Sequence, residues 1–149
     1  MREVGSHFLY LSYRLLGFPK WAATPLISRP SPKSAETLFQ GICTIGDIPL
    51  SINGFVGGQV NDIIEWRLRG TRNSLRIYNW YRLERQGDVD CSPILTDDQS
   101  LPQAAYMAQL DRLAEQLNNG ELLLPDFNDA FMIQKLVEDG LRNSKELRN

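Results

Sequence analysis

The stretch 61–80, NDIIEWRLRGTRNSLRIYNW, predicts an antiparallel β-hairpin. Before the turn, Ile64, Trp66 and Leu68 alternate with polar residues, which is the period-two pattern of a half-buried strand. Residues 70–73 supply turn formers that tolerate a positive φ, and a second alternating run follows them. One face of the hairpin therefore carries branched and aromatic side chains, and the other carries arginines. Such a face requires a covering layer, so the rest of the chain is expected to supply neighbouring strands and helices.

The segment before the hairpin predicts one helix and a run of strands. Apolar residues recur at helical spacing over 4–16, and Gly17 and Pro19 then end the helix. Pro25 removes a backbone donor, which predicts either an edge strand or a break at this position. Strands are expected at 20–28, 35–45, 48–55 and, beyond the hairpin, 80–85. The strand 35–45 is apolar on both faces, which predicts a central strand covered on both sides.

The last third of the chain predicts a surface loop and two helices. Residues 88–100 are acidic and rich in turn formers, and Ser100 then caps a helix that ends at Gly120. Asp126 caps the final helix, with Asp129 in its first turn. The helix that begins at Ser100 has the apolar stripe Tyr106, Leu110, Leu113 and Leu117, flanked by Met107 and Ala114. The final helix has the expected buried stripe Ala130, Ile133, Val137 and Leu141. The polar tail from Asn143 is expected to fray.

These elements predict an α+β fold. Strands that follow one another through hairpin-length links form a mainly antiparallel sheet, here of about five or six strands, with the helices packed on one face. The 149 residues are enough for a single domain.

Composition excludes several classes of protein. A net charge of −2 gives no electrostatic reason to expect nucleic acid or an anionic membrane as a partner. No apolar run is long enough to span a membrane, and no signal peptide is evident, so a cytoplasmic location is expected. Cys43 and Cys91 lie far apart with no CxxC companion, which favours reduced packing thiols over a disulfide or a metal site.

Three segments resemble motifs of one enzyme family, in the order in which the family has them. The hairpin EWRLRGTRNSLRI at 65–77 resembles the late sheet hairpin of the Gfo/Idh/MocA family of NAD(P)-dependent oxidoreductases. EVGSHFLY at 3–10, followed by Leu-Leu-Gly at 15–17, is similar to the family helix D-x-G-x-H-x-x-D, which directs its Asp and His at the substrate. DFNDAFMIQKLVEDGLRNS at 126–144 resembles the family's final helix.

The resemblance covers only part of the family's length. The Rossmann half, with its GxGxxG turn and its E-K-P lysine, is absent, and the first strands of the second domain are missing as well. The resemblance therefore implies that 1–149 is a single, partial C-terminal domain for substrate binding and dimerisation. No cofactor would be bound by this chain alone; NAD or NADP is implied for a complete enzyme, with a Rossmann domain in cis or in trans. Typical family substrates are sugars, inositols and related polyols.

The same resemblance assigns candidate site residues. His7 matches the family's active-site histidine, which moves the proton of a substrate hydroxyl, and Glu3 would orient it from four residues earlier. Ser6 and Tyr10 would contact substrate. Glu replaces the usual Asp at position 3, and Tyr replaces a second Asp at position 10, which points to a divergent substrate or a decayed site. Without the resemblance, a histidine on an apolar helical stripe is more often a hydrogen-bonded core residue, and both interpretations stay open.

Two further alternatives remain. The densest basic group could bind a phosphate or carboxylate, or it could be a solvated sheet face paired with Glu65 and Glu84. Its members are Arg67, Arg69, Arg72, Arg76, Arg82 and Arg85. The whole chain could also be a non-catalytic module that dimerises or binds a partner through its sheet. A small hydrolase finds no support, because neither a nucleophile elbow nor a metal-ligand spacing is present.

Overall fold

The computed structural model describes residues 1–57, 62–86, 91–94, 101–121 and 124–147. The chain divides into two compact units: unit 1 is Met1–Gln59 with Pro125–Asn149, and unit 2 is Val60–Leu124. The described elements, in chain order, are α1 (Val4–Leu16), β1 (Lys20–Trp21), β2 (Leu26–Ser28), β3 (Leu38–Ile45), β4 (Ile48–Phe55), β5 (Glu65–Arg69), β6 (Ser74–Tyr78), β7 (Arg82–Gln86), β8 (Cys91–Pro93), α2 (Leu101–Asn119), α3 (Phe127–Arg142) and β9 (Lys145–Glu146). The single-domain prediction stays a prediction.

The sheet of unit 1 is built around β3. This strand pairs antiparallel with β4 along its whole length, and its other edge pairs with β1 and then β2. The predicted break at Pro25 separates β1 from β2. The tail was expected to fray, and this prediction is wrong for β9, which pairs in parallel with β2. Lys145 N donates to the carbonyl of Pro25, and Leu147 N donates to that of Ile27, both at 2.8 Å.

One face of this sheet is buried under two helices. Phe39 and Cys43 of β3 face the helices and are buried, whereas Ile42 on the opposite face is 48 % exposed. The expectation that β3 is covered on both faces is therefore wrong at this position. The core joins α1, the sheet and α3 through Leu9, Ile27, Phe39, Ile133, Leu136, Val137 and Leu141. These residues include most of the predicted α3 stripe, but Ala130 is exposed.

Trp21 fills the space between β3 and α3. Its indole Nε1 donates to the backbone carbonyl of Leu136 at 2.9 Å, and its ring centroid lies 5.8 Å from that of Phe39. Gly41 and Gly140 lie so close to the indole that a Cβ on either would stand 2.6 Å from a ring carbon. Real Cβ atoms do not approach this closely, so the ring fits only because both positions are glycine.

Unit 2 contains the hairpin that the sequence predicted. β5 and β6 pair antiparallel, with Trp66 opposite Ile77 and Leu68 opposite Leu75, so the apolar residues share one face. β7 and β8 continue the sheet in the order β5-β6-β7-β8. The predicted strand at 80–85 begins at Arg82, because the chain first turns through Asn79 and Trp80, which both have positive φ.

The loop prediction for 88–100 is wrong at Cys91–Pro93, which form β8. The remainder of that stretch, including Ser100, lies outside the described residues apart from Ile94. α2 ends at Gly120 as predicted; this residue has φ +72°, and its N–H donates to the carbonyl of Gln116 at 2.9 Å.

The predicted α+β class with mainly antiparallel strands is confirmed. In the described residues the strands form a five-stranded sheet in unit 1 and a four-stranded sheet in unit 2, with β2 and β9 as a parallel pair. None of the described helices has the length and apolar character needed to cross a membrane.

We predict that Gly140→Ala destabilises the protein. Alanine in place of glycine within a helix ordinarily stabilises by up to about 1 kcal/mol, but here the methyl group would overlap Trp21, and overpacking costs about 1–3 kcal/mol. Urea unfolding gives the change in the free energy of unfolding. The control is Gly54→Ala in β4, where no atom lies within 4 Å of the added carbon. A Gly140→Ala variant as stable as the control would contradict the tight packing of the indole.

Candidate functional site

The predicted site residues lie together on the first turns of α1. Glu3 is the N-cap residue, and the Ser6 hydroxyl donates to the Glu3 carbonyl at 2.6 Å. His7 follows one turn after Glu3 and is exposed. The interpretation of His7 as a buried core histidine is therefore wrong. An exposed imidazole and an exposed carboxylate four residues apart share one side of the helix, so both are accessible to a ligand.

Tyr10, one turn further along, differs from its neighbours in being half-buried. It contacts the ring of Tyr13 edge-on, with the centroids 6.3 Å apart. Burial raises the pKa of Tyr10. The positive charge of Arg14 lowers this pKa, whereas the negative charges of Asp129 and Asp126 raise it. Tyr10 is therefore a neutral hydroxyl at physiological pH, able to donate a hydrogen bond but unable to serve as a base.

The acidic start of α3 is a neighbour that the sequence did not predict for this site. Asp129 N donates to Asp126 Oδ1 at 2.8 Å, and Asp126 N donates to Asp129 Oδ2 at 3.4 Å, which forms a reciprocal capping box. The capping pattern was readable in the sequence, but its proximity to Tyr10 depends on the packing of α3 against α1. Local spacing carries no signal for such a long-range contact.

Ion pairs fix the start of α1 against the rest of unit 1. The Met1 amino group donates to Glu36 at 2.9 Å, and both side chains are nearly inaccessible to solvent. Arg2 makes two hydrogen bonds to Glu138 of α3, at 2.6 Å and 3.2 Å. The contact between Arg2 and Glu138 therefore holds the first turn of α1 against α3, which a site that orients a ligand requires.

Electrostatics at the helix termini oppose the binding of a dinucleotide. A helix N-terminus binds a pyrophosphate through free N–H groups and its positive dipole end. The described N-cap residues of α1 and α3 are Glu3 and Asp126, whose carboxylates would repel phosphate. The N-termini of α1 and α3 therefore do not fit the pyrophosphate of NAD or NADP, and we derive no step through either cofactor.

A shallow cleft of about 340 Å³ lies on another part of unit 1. Its lining consists of Trp21, residues 22–25, Asp139, Gly140 and Asn143. None of the four predicted site residues is among them, and Asp139 is the single carboxylate. The cleft therefore lacks the paired acid and base that hydroxyl chemistry requires.

Two arginines on the polar face of unit 2 form ion pairs with Glu65 and Glu84. Arg76 contacts Glu65 at 2.7 Å and Glu84 at 3.4 Å, and Arg67 contacts Glu65 at 2.9 Å. The Arg76 guanidinium also lies over the ring of Tyr78, 4.5 Å from its centroid. For these arginines, the interpretation as a paired, solvated sheet face is confirmed. Arg85 does not belong to that face, because its register partner is Leu75 on the apolar side.

The described residues hold no cluster of three or more metal-binding side chains. Cys43 is a free, fully buried thiol, as predicted, and burial raises its pKa to about 12. Such a thiol is neither a nucleophile nor a metal ligand under ordinary conditions. The side chain of Cys91 lies outside the described residues.

Comparison with known proteins gives likeness in structure only. No family model and no curated protein matches the sequence. The crystal structure of a point mutant of KijD10, a 3-ketoreductase from Actinomadura kijaniata, in complex with TDP-benzene and NADP, matches with a TM-score of 0.65 at 10 % identity, over 97 % of this chain and 47 % of that chain. A putative oxidoreductase, yvaA from Bacillus subtilis, matches with a TM-score of 0.63 at 14 % identity, over 95 % of this chain and 48 % of that one.

At these identities the likeness establishes the fold. The chain has a fold found in oxidoreductases and spans about half the length of the structures that it matches. The resemblance seen in the sequence likewise covers only part of a family member's length.

We predict that the ion pair of Glu36 stabilises unit 1 in a pH-dependent way. Burial alone would raise the pKa of Glu36, but hydrogen bonds from its own backbone and from Met1, with the charge of Arg2, leave it below its usual value. A carboxyl group whose pKa is lower in the folded state stabilises the fold at pH values above its unfolded-state pKa of about 4.3. This stabilisation is lost as the pH falls through the folded-state pKa. Glu36→Gln should therefore lower the free energy of unfolding at pH 7 by roughly 1–3 kcal/mol.

Urea unfolding between pH 7 and pH 3 measures this effect. The difference between the original chain and Glu36→Gln should shrink as the solution becomes more acidic. Asp47→Asn, at an exposed position in the turn between β3 and β4, provides the control. A difference that stays constant across this pH range would show that the carboxylate charge of Glu36 does not stabilise the fold.

Proposed function

We propose that this chain is the substrate-binding portion of a Gfo/Idh/MocA-like NAD(P)-dependent oxidoreductase. The observation that carries this proposal is the structural match of 97 % of the chain to about half of a 3-ketoreductase solved with NADP. The three sequence motifs support the same family. The proposed substrate is a sugar, an inositol or a related polyol. Its oxidation would convert one secondary hydroxyl to a carbonyl, with the O–H proton passing to a base and the hydride on the same carbon being taken up by the oxidised cofactor that the complete enzyme would bind.

The proposed roles follow from the geometry of α1. His7 is exposed and carries the imidazole that would accept or return the proton of the substrate hydroxyl. Glu3, on the same side of the helix, would orient the imidazole. Tyr10 is a neutral donor suited to a substrate hydroxyl. Ser6 already donates to the Glu3 carbonyl, so in this arrangement its oxygen would be an acceptor.

The activity requires a Rossmann domain, either elsewhere in the same polypeptide or on a partner. Two observations support this part of the proposal: the acidic helix caps oppose the dinucleotide, and α3 leaves large aromatic residues in solvent. Phe127 is 96 % exposed, and Phe131, one turn later on the same side, is 65 % exposed. Contiguous exposed apolar patches mark surfaces that contact another domain or protein, and we propose that this pair contributes to such a surface. A cytoplasmic homo-oligomer completes the proposed assembly.

A non-catalytic module for dimerisation or partner binding is the second candidate function. Strand β4 favours it, because in the described part of unit 1 its outer edge has no pairing strand over eight residues. A long free edge offers backbone groups to another chain. The replacements at positions 3 and 10 also agree with a site that no longer performs chemistry.

The size of the native polypeptide distinguishes the two candidates. An immunoblot of source extract with an antibody against this chain should show a band about twice the size of the 149-residue chain, because a Rossmann domain adds roughly 100–150 residues. A band at the size of the chain itself would exclude a domain in cis. In that case, the proposal requires that a second polypeptide, which binds NAD or NADP, co-purifies with this chain.

His7→Ala in the active assembly tests the proposed chemistry. We expect kcat for polyol oxidation to fall by about 10²–10⁴-fold, the usual contribution of a positioned acid–base group. Leu15→Ala, an exposed position at the other end of α1, is the control and should change kcat little. A loss of less than about tenfold on removing His7 would refute its acid–base role.

A further inference from the structure

The shallow cleft of unit 1 lies between the link from β1 to β2 and the last turn of α3. Residues 21–25 form one wall, and Asp139, Gly140 and Asn143 form the other. Its volume of about 340 Å³ is within the range of sites that hold small ligands. The cleft is lined by residues of opposite chemical character, and their arrangement defines which ligand fits.

Asp139 gives the cleft a negative charge. It is the single charged residue of the lining, and it takes part in none of the ion pairs found among the described residues. The preceding residue, Glu138, by contrast already binds Arg2 at 2.6 Å. Asp139 is half-buried, so a cation beside its carboxylate would be less screened by water than one at the open surface.

The end of α3 adds the negative pole of a helix dipole to the same cleft. The last four carbonyls of a helix have no partner within the helix. Two of them, at Asp139 and Leu141, accept hydrogen bonds from residues 143 and 144. None of the hydrogen bonds found among the described residues ends on the carbonyl of Gly140. Gly140 has no side chain, so it lines the cleft with backbone atoms alone.

Trp21 supplies an aromatic wall. Its indole N–H already donates to the Leu136 carbonyl, so the ring itself is what it offers to a ligand. Aromatic rings attract cations and accept the hydrocarbon part of an organic amine. A metal ion fits less well, because Ca²⁺ takes six to eight oxygen ligands and the lining holds one carboxylate.

We propose that this cleft binds a small organic cation that carries a primary ammonium group. The ammonium donates to the Asp139 carboxylate and to the Gly140 carbonyl, and the hydrocarbon part lies against the Trp21 ring. The charges that attract a cation repel an anion, and a neutral molecule gains no ion pair. The ligand would contact both walls of the cleft, so binding would also stabilise the packing of α3 against the sheet.

A titration of the full chain with n-butylammonium chloride, followed by backbone amide NMR signals, tests the proposal. The signals of residues 22–24 and 139–143 should shift with one dissociation constant in the millimolar range, because a partly exposed ion pair is weak. n-Butanol has the same chain length without the charge, and it should shift these signals little, as should sodium chloride at equal ionic strength. Equal shifts with n-butanol, or no saturation by roughly 50 mM amine, would overturn the proposal.

Substitutions on the two walls test the location of the amine. Asp139→Asn removes the charge with little change of shape and should weaken binding at least about fivefold. Thr24→Arg, at an exposed position of the opposite wall, should abolish binding through charge repulsion. Asp47→Asn removes the same charge from an exposed turn outside the cleft and should leave the dissociation constant unchanged. Equal binding by the Asp139→Asn and Asp47→Asn variants would show that the amine does not bind at the cleft. These outcomes do not depend on His7 or on any oxidoreductase activity.

Discussion

The fit of one indole ring between two glycines is the constraint on which unit 1 depends. Trp21 lies against Gly41 of β3 and Gly140 of α3, and its ring nitrogen donates to the Leu136 carbonyl. The thickness of the ring thus sets how closely α3 approaches the sheet. At that separation Val137 reaches the core residues of the sheet. A larger residue at either glycine position would move α3, and the acidic start of this helix would move with it.

The geometry of the candidate site is a consequence of this packing. α1 alone supplies the histidine, the carboxylate and the hydroxyls, but the surroundings of Tyr10 come from α3 through Asp126 and Asp129. The site therefore combines an exposed imidazole with a tyrosine that is held neutral by burial and by nearby negative charge. Such a combination suits hydrogen bonding to a neutral, hydroxyl-rich ligand better than binding of an anion.

Features that local physics determines were predictable from the sequence. The hairpin around 61–80 follows from alternation and turn residues, and the capping box at Asp126 follows from side-chain reach. Features that depend on distant segments were not predictable. Parallel pairing of β9 with β2 requires the tail to return beside Leu26, and nothing in the polar sequence after Asn143 marks it as a strand. The exposure of His7 likewise depends on what packs around α1, because a stripe of apolar residues does not say which of its edges is covered.

The order of segments along the chain has a consequence for biosynthesis. The core of unit 1 combines Leu9, Ile27 and Phe39 with α3, while unit 2 occupies the intervening sequence. On a ribosome, strands β1 to β4 of unit 1 would be synthesised before α3. The apolar face of their sheet would stay uncovered until α3 has been translated. Unit 2 consists of contiguous sequence and can form its local hairpins during that interval. The exposed intermediate is the stage at which a nascent chain is most prone to aggregation and most in need of a chaperone.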